Sequence, residues 1–138
     1  MSIKKIFFIT GPIALILNII WELLHYSLYF DLSRIPKYPH LIIASLTDMF
    51  ILTGIFVIIS LKNKNHDWIK HPSNFDYLLV ALLGLIIAAF IEIINLNLGR
   101  WKYTAVMPTF FGIGISPLIQ LAFTGIISLI IIKKLNNR

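Results

Sequence analysis

Four apolar runs occupy most of this 138-residue chain, each about 20–25 residues long, enough to cross roughly 30 Å of hydrocarbon as helix. They extend from about Ile6 to Phe30, Leu41 to Leu61, Tyr77 to Leu98 and Phe110 to Ile132. None alternates polar and apolar residues, so the runs predict helices and not the strands of a barrel. Only 13% of residues are charged, against about 25% in a soluble domain, so the chain lacks the polar surface a soluble fold of this size needs. The expected fold is therefore all-α: a polytopic membrane protein of four transmembrane helices in one compact bundle spanning residues 1–138.

The run after Lys4 and Lys5 outlasts the apolar region of a signal peptide and meets no small-residue cleavage site, so it predicts a retained span. Breakers fill the connectors: Pro36 and Pro39, then Asn63, Asn65, Pro72 and Ser73, then Gly99 and Pro108. Ser73 or Asp76 is the expected cap of the third helix. Pro12 and Pro117 fall inside spans. Eight basic residues lie on one side (Lys4, Lys5, Lys62, Lys64, Lys70, Lys133, Lys134, Arg138) and four on the other (Arg34, Lys37, Arg100, Lys102). The positive-inside rule then predicts a multi-pass protein of the cell membrane with both termini cytoplasmic. Basic residues confined to such loops suit anionic lipid and argue against a nucleic-acid partner. Tyr26, Tyr29, Tyr38, Trp101 and Tyr103 fit an outer aromatic belt, and Trp68 and Tyr77 an inner one. With no cysteine, disulfides, thiolate metal sites and a cysteine nucleophile are excluded.

The informative residues are polar ones inside the spans. An ionisable group near a helix centre costs about 2.5–3.5 kcal/mol on insertion scales, so such groups face the bundle interior and tend to mark function. Asn18, Glu22 and His25 share one face of the first helix. Asp48, with Ser45 a turn earlier, lies in the second. Glu92 and Asn95 share a face of the third, and Gln120 and Thr124 lie in the fourth. With the termini inside, every intramembrane acid falls in the outer half of the bilayer, below Arg100, Trp101 and Tyr103. This predicts one polar cavity at that depth. Trp21-Glu22-Leu23-Leu24-His25 also parallels Ile91-Glu92-Ile93-Ile94-Asn95 at an offset of seventy. Two hairpins related by an axis along the membrane normal would produce such a repeat.

Glu22 and His25 form a candidate proton-transfer pair, with Asp48 as acid or as partner of His25, and Glu92 as counter-acid. Mutual satisfaction of structural polar groups is the plainer alternative. Asn18, Trp21, Asn95, Arg100, Trp101, Tyr103 and Gln120 are the candidate substrate-binding residues, with Asn18 and Gln120 also read as interhelical hydrogen bonders and Arg100 as a partner of Glu92 or an interfacial anchor. His40, His66 and His71 are assigned to solvated loops. Glu-x-x-His is also the helical unit of di-iron bundles, but a second unit is missing. Glu22, His25, Asp48 and Glu92 as ligands of one divalent ion is thus the minor reading, and no cofactor is expected.

The stretch RWKYTAVMPTFFGIGISPLIQLAF, Arg100 to Phe123, resembles the W-x-Y … G-x-x-x-x-P-x-E-E region of the lycopene cyclase domain family through Trp101, Tyr103, Gly112 or Gly114, and Pro117. Ile119 and Gln120 stand where that pattern has its glutamates. The resemblance implies a small helical membrane enzyme that adds a proton to an isoprenoid alkene and removes another. Glu22, Asp48 and Glu92 would have to supply that chemistry. The whole chain also resembles small four-helix membrane proteins with an N-x-x-W-E-x-x-H first helix, which implies no activity. The leading expectation is an intramembrane acid–base enzyme, of isomerase, cyclase or hydratase type, acting on a hydrophobic isoprenoid, carotenoid-like or lipid substrate. A proton- or cation-coupled transporter working as a homodimer, and a non-catalytic assembly subunit, are the alternatives.

Overall fold

The computed structural model describes residues 2–30 and 36–137. Arg34 and Arg138 of the basic tally lie outside them. Four long helices make up the fold: α1 (Ile3–His25), α2 (Lys37–Asn63), α3 (Asn74–Asn97) and α4 (Ile115–Asn136). Each is long and apolar enough to cross a membrane, so the chain is an all-α, multi-pass membrane protein. Large apolar side chains such as Phe8, Leu24 and Phe90 face outward, as lipid-facing helix surfaces require.

Local chemistry sets the ends of the helices. Ser2 caps α1, and Ser73 caps α3 in a box completed by Asp76, whose carboxylate accepts from the Ser73 amide. Asn63 at the end of α2 donates to the same carboxylate at 2.8 Å, tying the α2–α3 turn. Pro39 and Pro117 do not break or kink a span: both sit in the first turn of their helices, where no intrahelical partner awaits the missing N–H. Only Pro12 is interior to a helix.

Two ends differ from expectation. The first helix stops at His25 and tightens into a 3-10 turn, Tyr26–Leu28. The segment then pairs with the chain after α3: Phe30 N–H donates to Lys102 O, Thr104 N–H to Leu28 O, and Tyr29 bridges Tyr103. The fourth helix begins at Ile115 and not near Phe110. Thr109–Phe110 and Ile113–Gly114 form strands β1 and β2 of a small hairpin instead. Phe111 and Gly112, at φ 49° and 80°, supply its two-residue turn with both φ positive, a backbone that no helix accommodates.

The bundle runs in ring order, with α1 on α2 and α3 on α4 as tight hairpins, and α1–α4 and α2–α3 as the seams between them. Small residues allow the closest approach. A Cβ on Gly84 of α3 would lie 2.7 Å from the Ala122 backbone nitrogen of α4. At the termini-side end, Trp68 is not a belt residue. It is buried against Phe56 and donates to Ser60 Oγ at 3.0 Å, plugging the bundle together with Ile69.

Burial repeats at the offset seen in the sequence. In α1, Ile6, Thr10, Ala14, Asn18, Glu22 and His25 are buried; seventy residues on, so are Asp76, Val80, Gly84, Ala88, Glu92 and Asn95 of α3. Ser45, Met49 and Thr53 of α2 likewise match Pro117, Leu121 and Gly125 of α4 at an offset of seventy-two. The two hairpins therefore present corresponding faces to one core.

Candidate functional site

A cavity of about 350 Å³ lies between the helices toward the end opposite the termini. Glu22 of α1, Asp48 of α2, Glu92 of α3 and Gln120 of α4 all line it, so each helix contributes one polar side chain at this level. Asn95, Arg100 and Trp101 also line it, as do Tyr29 and His40. His40 thus belongs to the first turns of α2 and the cavity wall, not to a solvated loop.

Gln120 organises the α1–α2–α4 side. Its Nε2 donors lie 3.1 Å from Asn18 Oδ1, 2.9 Å from Glu22 Oε1 and 2.6 Å from Asp48 Oδ2. An amide nitrogen carries two hydrogens, and three acceptors surround it. Asn18 is fixed in orientation because its own amide donates to Ala14 O at 2.8 Å, which turns its oxygen toward Gln120. One hydrogen then remains for two carboxyl groups. Glu22 and Asp48 therefore share that single donor. Asn18 and Gln120, expected to touch substrate, thus also orient the acids. Asp48 is only half-buried, and Glu22 lies deeper.

Glu22 also receives His25. His25 Nε2 lies 3.3 Å from Glu22 Oε2, and His25 Nδ1 lies 2.9 Å from Ser116 Oγ. A carboxylate only accepts, so Nε2–H donates to Glu22, and a neutral His25 ring accepts the Ser116 hydroxyl at Nδ1. The expected pairing of Asp48 with His25 is replaced by this arrangement, with Asp48 on Gln120. His25 stands behind Glu22, ringed by Trp21 and Tyr29, and does not line the cavity. Trp21 does not line it either: its ring packs on Phe123 in the α1–α4 seam.

Glu92 is held from above. Its Oε2 accepts from Trp101 Nε1 at 3.3 Å and from the Tyr103 hydroxyl in a short bond. Burial, reinforced by the bond to Glu92, pushes the Tyr103 phenol above its ordinary range, so it remains a neutral donor at physiological pH. Arg100 donates to Asn95 Oδ1 at 3.1 Å, and Asn95 in turn is anchored on Ile91 O. Asn95 is thus the bonded partner in place of the expected Glu92. The minor metal reading lacks a donor set: among the described residues, no three His, Asp or Glu side chains group to hold an ion.

Sequence reading missed Ser116, placed Tyr29 only in the aromatic belt and gave Thr124 no role. Tyr29 follows His25 by four, a spacing that would have flagged it. Thr124 lies one turn beyond Gln120 and donates to its carbonyl. Ser116 carried no signal, because its partner is ninety-one positions away. Comparison with protein-family models, curated proteins and solved structures finds no match.

Proposed function

We propose that this protein is an intramembrane acid–base enzyme acting on the unsaturated end of an isoprenoid or related lipid chain. One observation carries the reading: carboxyl groups from three helices converge on one cavity and are held there by the neutral donors Gln120, Trp101 and Tyr103. Acids placed only to join helices would leave no cavity between them. The volume, about 350 Å³, falls within the range of small-molecule sites, which runs from roughly 300 to 1,000 Å³.

The Glu22–Asp48 pair delivers its proton to an alkene carbon. The cation so formed faces the remaining carboxylates and the Trp101 and Tyr29 rings, which favour positive charge. Glu92 removes a proton from a neighbouring carbon and a double bond reforms, so the net change is isomerisation or cyclisation without redox. His25 positions Glu22; Glu92 then gives up the proton it took and the pair regains one, so no net proton is consumed. This is the chemistry implied by the cyclase resemblance, with the W-x-Y residues Trp101 and Tyr103 serving Glu92. The surplus of basic residues on the termini side supports a cell-membrane protein with cytoplasmic ends and the cavity in the outer half. A through-pathway for transport is disfavoured by the plug of Phe56, Trp68 and Ile69 in the other half.

Purified protein in proteoliposomes, given isoprenoid and lipid extracts, is expected to convert one component. Asp48→Asn and Glu92→Gln should each abolish that conversion while the folded helical content stays. Conversion that persists in both variants would sink the assignment. A wild-type protein that converts nothing, yet loses stability on Glu22→Gln, would favour an assembly subunit.

A further inference from the structure

The two seams between the hairpins occupy corresponding positions, yet one is stitched and the other is open. In the α1–α4 seam His25 reaches Ser116, Gln120 reaches Asn18 and Glu22, and Trp21 packs on Phe123 with ring centroids 5.5 Å apart. The corresponding positions in the α2–α3 seam hold Asn95 opposite Ala44, Asp48 opposite Ala88, and Ile91 opposite Ile51. Alanine offers neither bond nor bulk, Asn95 turns to Arg100, and Asp48 turns across the core to Gln120. Accordingly α2 and α3 pack together least of the neighbouring pairs, and Ile43, Ala44, Thr47, Ala88 and Ile91 line the cavity there. Ile43 is 60% exposed on the outer surface of the bundle, at the level that faces lipid. On the loop side Tyr29 pairs with Tyr103 and its ring meets Trp101 edge-on, which narrows the approach from that side.

We infer that the α2–α3 seam is a lateral portal, through which a single apolar chain dissolved in the bilayer enters and brings its reactive end to Asp48 and Glu22. Ala44 and Ala88 set the width of the opening, so they determine what chain the site admits. A membrane-dissolved substrate needs no desolvation step at such an entrance. Only its reactive end meets polar groups, which suits the acid–base reading on which this inference rests.

Carbodiimides test the route without any turnover. They add across a protonated carboxyl to form an acylisourea that rearranges to a stable acylurea, so atoms balance and no redox partner is needed. In proteoliposomes, apolar dicyclohexylcarbodiimide is expected to label Asp48 or Glu22, located by peptide mass spectrometry. Its water-soluble counterpart carrying a charged amine should label neither. Thr47→Trp, placed in the portal, should cut apolar labelling severalfold. Ile119→Trp, at the corresponding position of the stitched seam, should leave it unchanged. Equal labelling by both reagents, equal effects of the two tryptophans, or no apolar labelling of a protein that still converts substrate would overturn the lateral route. Labelling that follows the portal in a protein that converts nothing would uphold the route and refute the enzymatic reading.

Discussion

Replacing Gln120 by leucine removes a side chain that joins α4 to α1 and α2 at one point. The change keeps the volume nearly constant, so packing loss is small. What disappears are donors lying 3.1, 2.9 and 2.6 Å from Asn18, Glu22 and Asp48. Interhelical hydrogen bonds within membranes average about 0.6 kcal/mol and reach about 1.7, so the two bonds its two hydrogens can make bound the loss at about 1–3.5 kcal/mol. The larger half of that range is expected, because the buried Glu22 and the half-buried Asp48 lose a shared donor together and an unsatisfied buried group costs about 1–3 kcal/mol. Reversible unfolding in mixed micelles titrated with an anionic detergent measures it. A double-mutant cycle with Asp48→Leu then isolates the cause: once Asp48 is apolar, losing Gln120 should cost at least about 1 kcal/mol less. A variant within about 0.5 kcal/mol of the native protein, or strict additivity in the cycle, would refute the claim that Gln120 manages the acids.

Two further outcomes follow from other contacts. Tyr103→Phe deletes one of two donors to Glu92 and should cost about 1.5–3 kcal/mol in the same unfolding assay, the range for a bond to a charged group; a silent substitution would mean Trp101 alone suffices. Gly84→Val should cost at least about 1–3 kcal/mol, because its Cβ would meet the Ala122 backbone at 2.7 Å and backbone cannot step aside, whereas Gly54→Ala, with open space around it, should cost nothing.

Much of the candidate site was legible because membrane insertion filters sequence harshly. Glu22, Asp48 and Glu92 are conspicuous in apolar runs, and all three line the same cavity. What could not be read was the identity of their partners. Arg100 is near Glu92 in sequence and opposite in charge, but the turn after α3 delivers Trp101 and Tyr103 to Glu92 and leaves Arg100 on Asn95. Trp68 looked interfacial because it sits in a polar loop, yet that loop folds under the bundle and buries it. The hairpin at Thr109–Gly114 was absorbed into the fourth span because its residues are apolar, and only the positive φ at Phe111 and Gly112 separates them from helix.

The sequence by itself determined the number of helices, their membrane class and the level of the acids along them, since these depend on run length, composition and spacing along single helices. The tertiary structure alone decided that Asn18 aims Gln120 at two carboxyls, that His25 sits between Glu22 and Ser116, and that one seam closes while its counterpart stays open. Those are relations between residues tens of positions apart on different helices. They depend on which faces meet and how closely, and no periodicity within one helix encodes that.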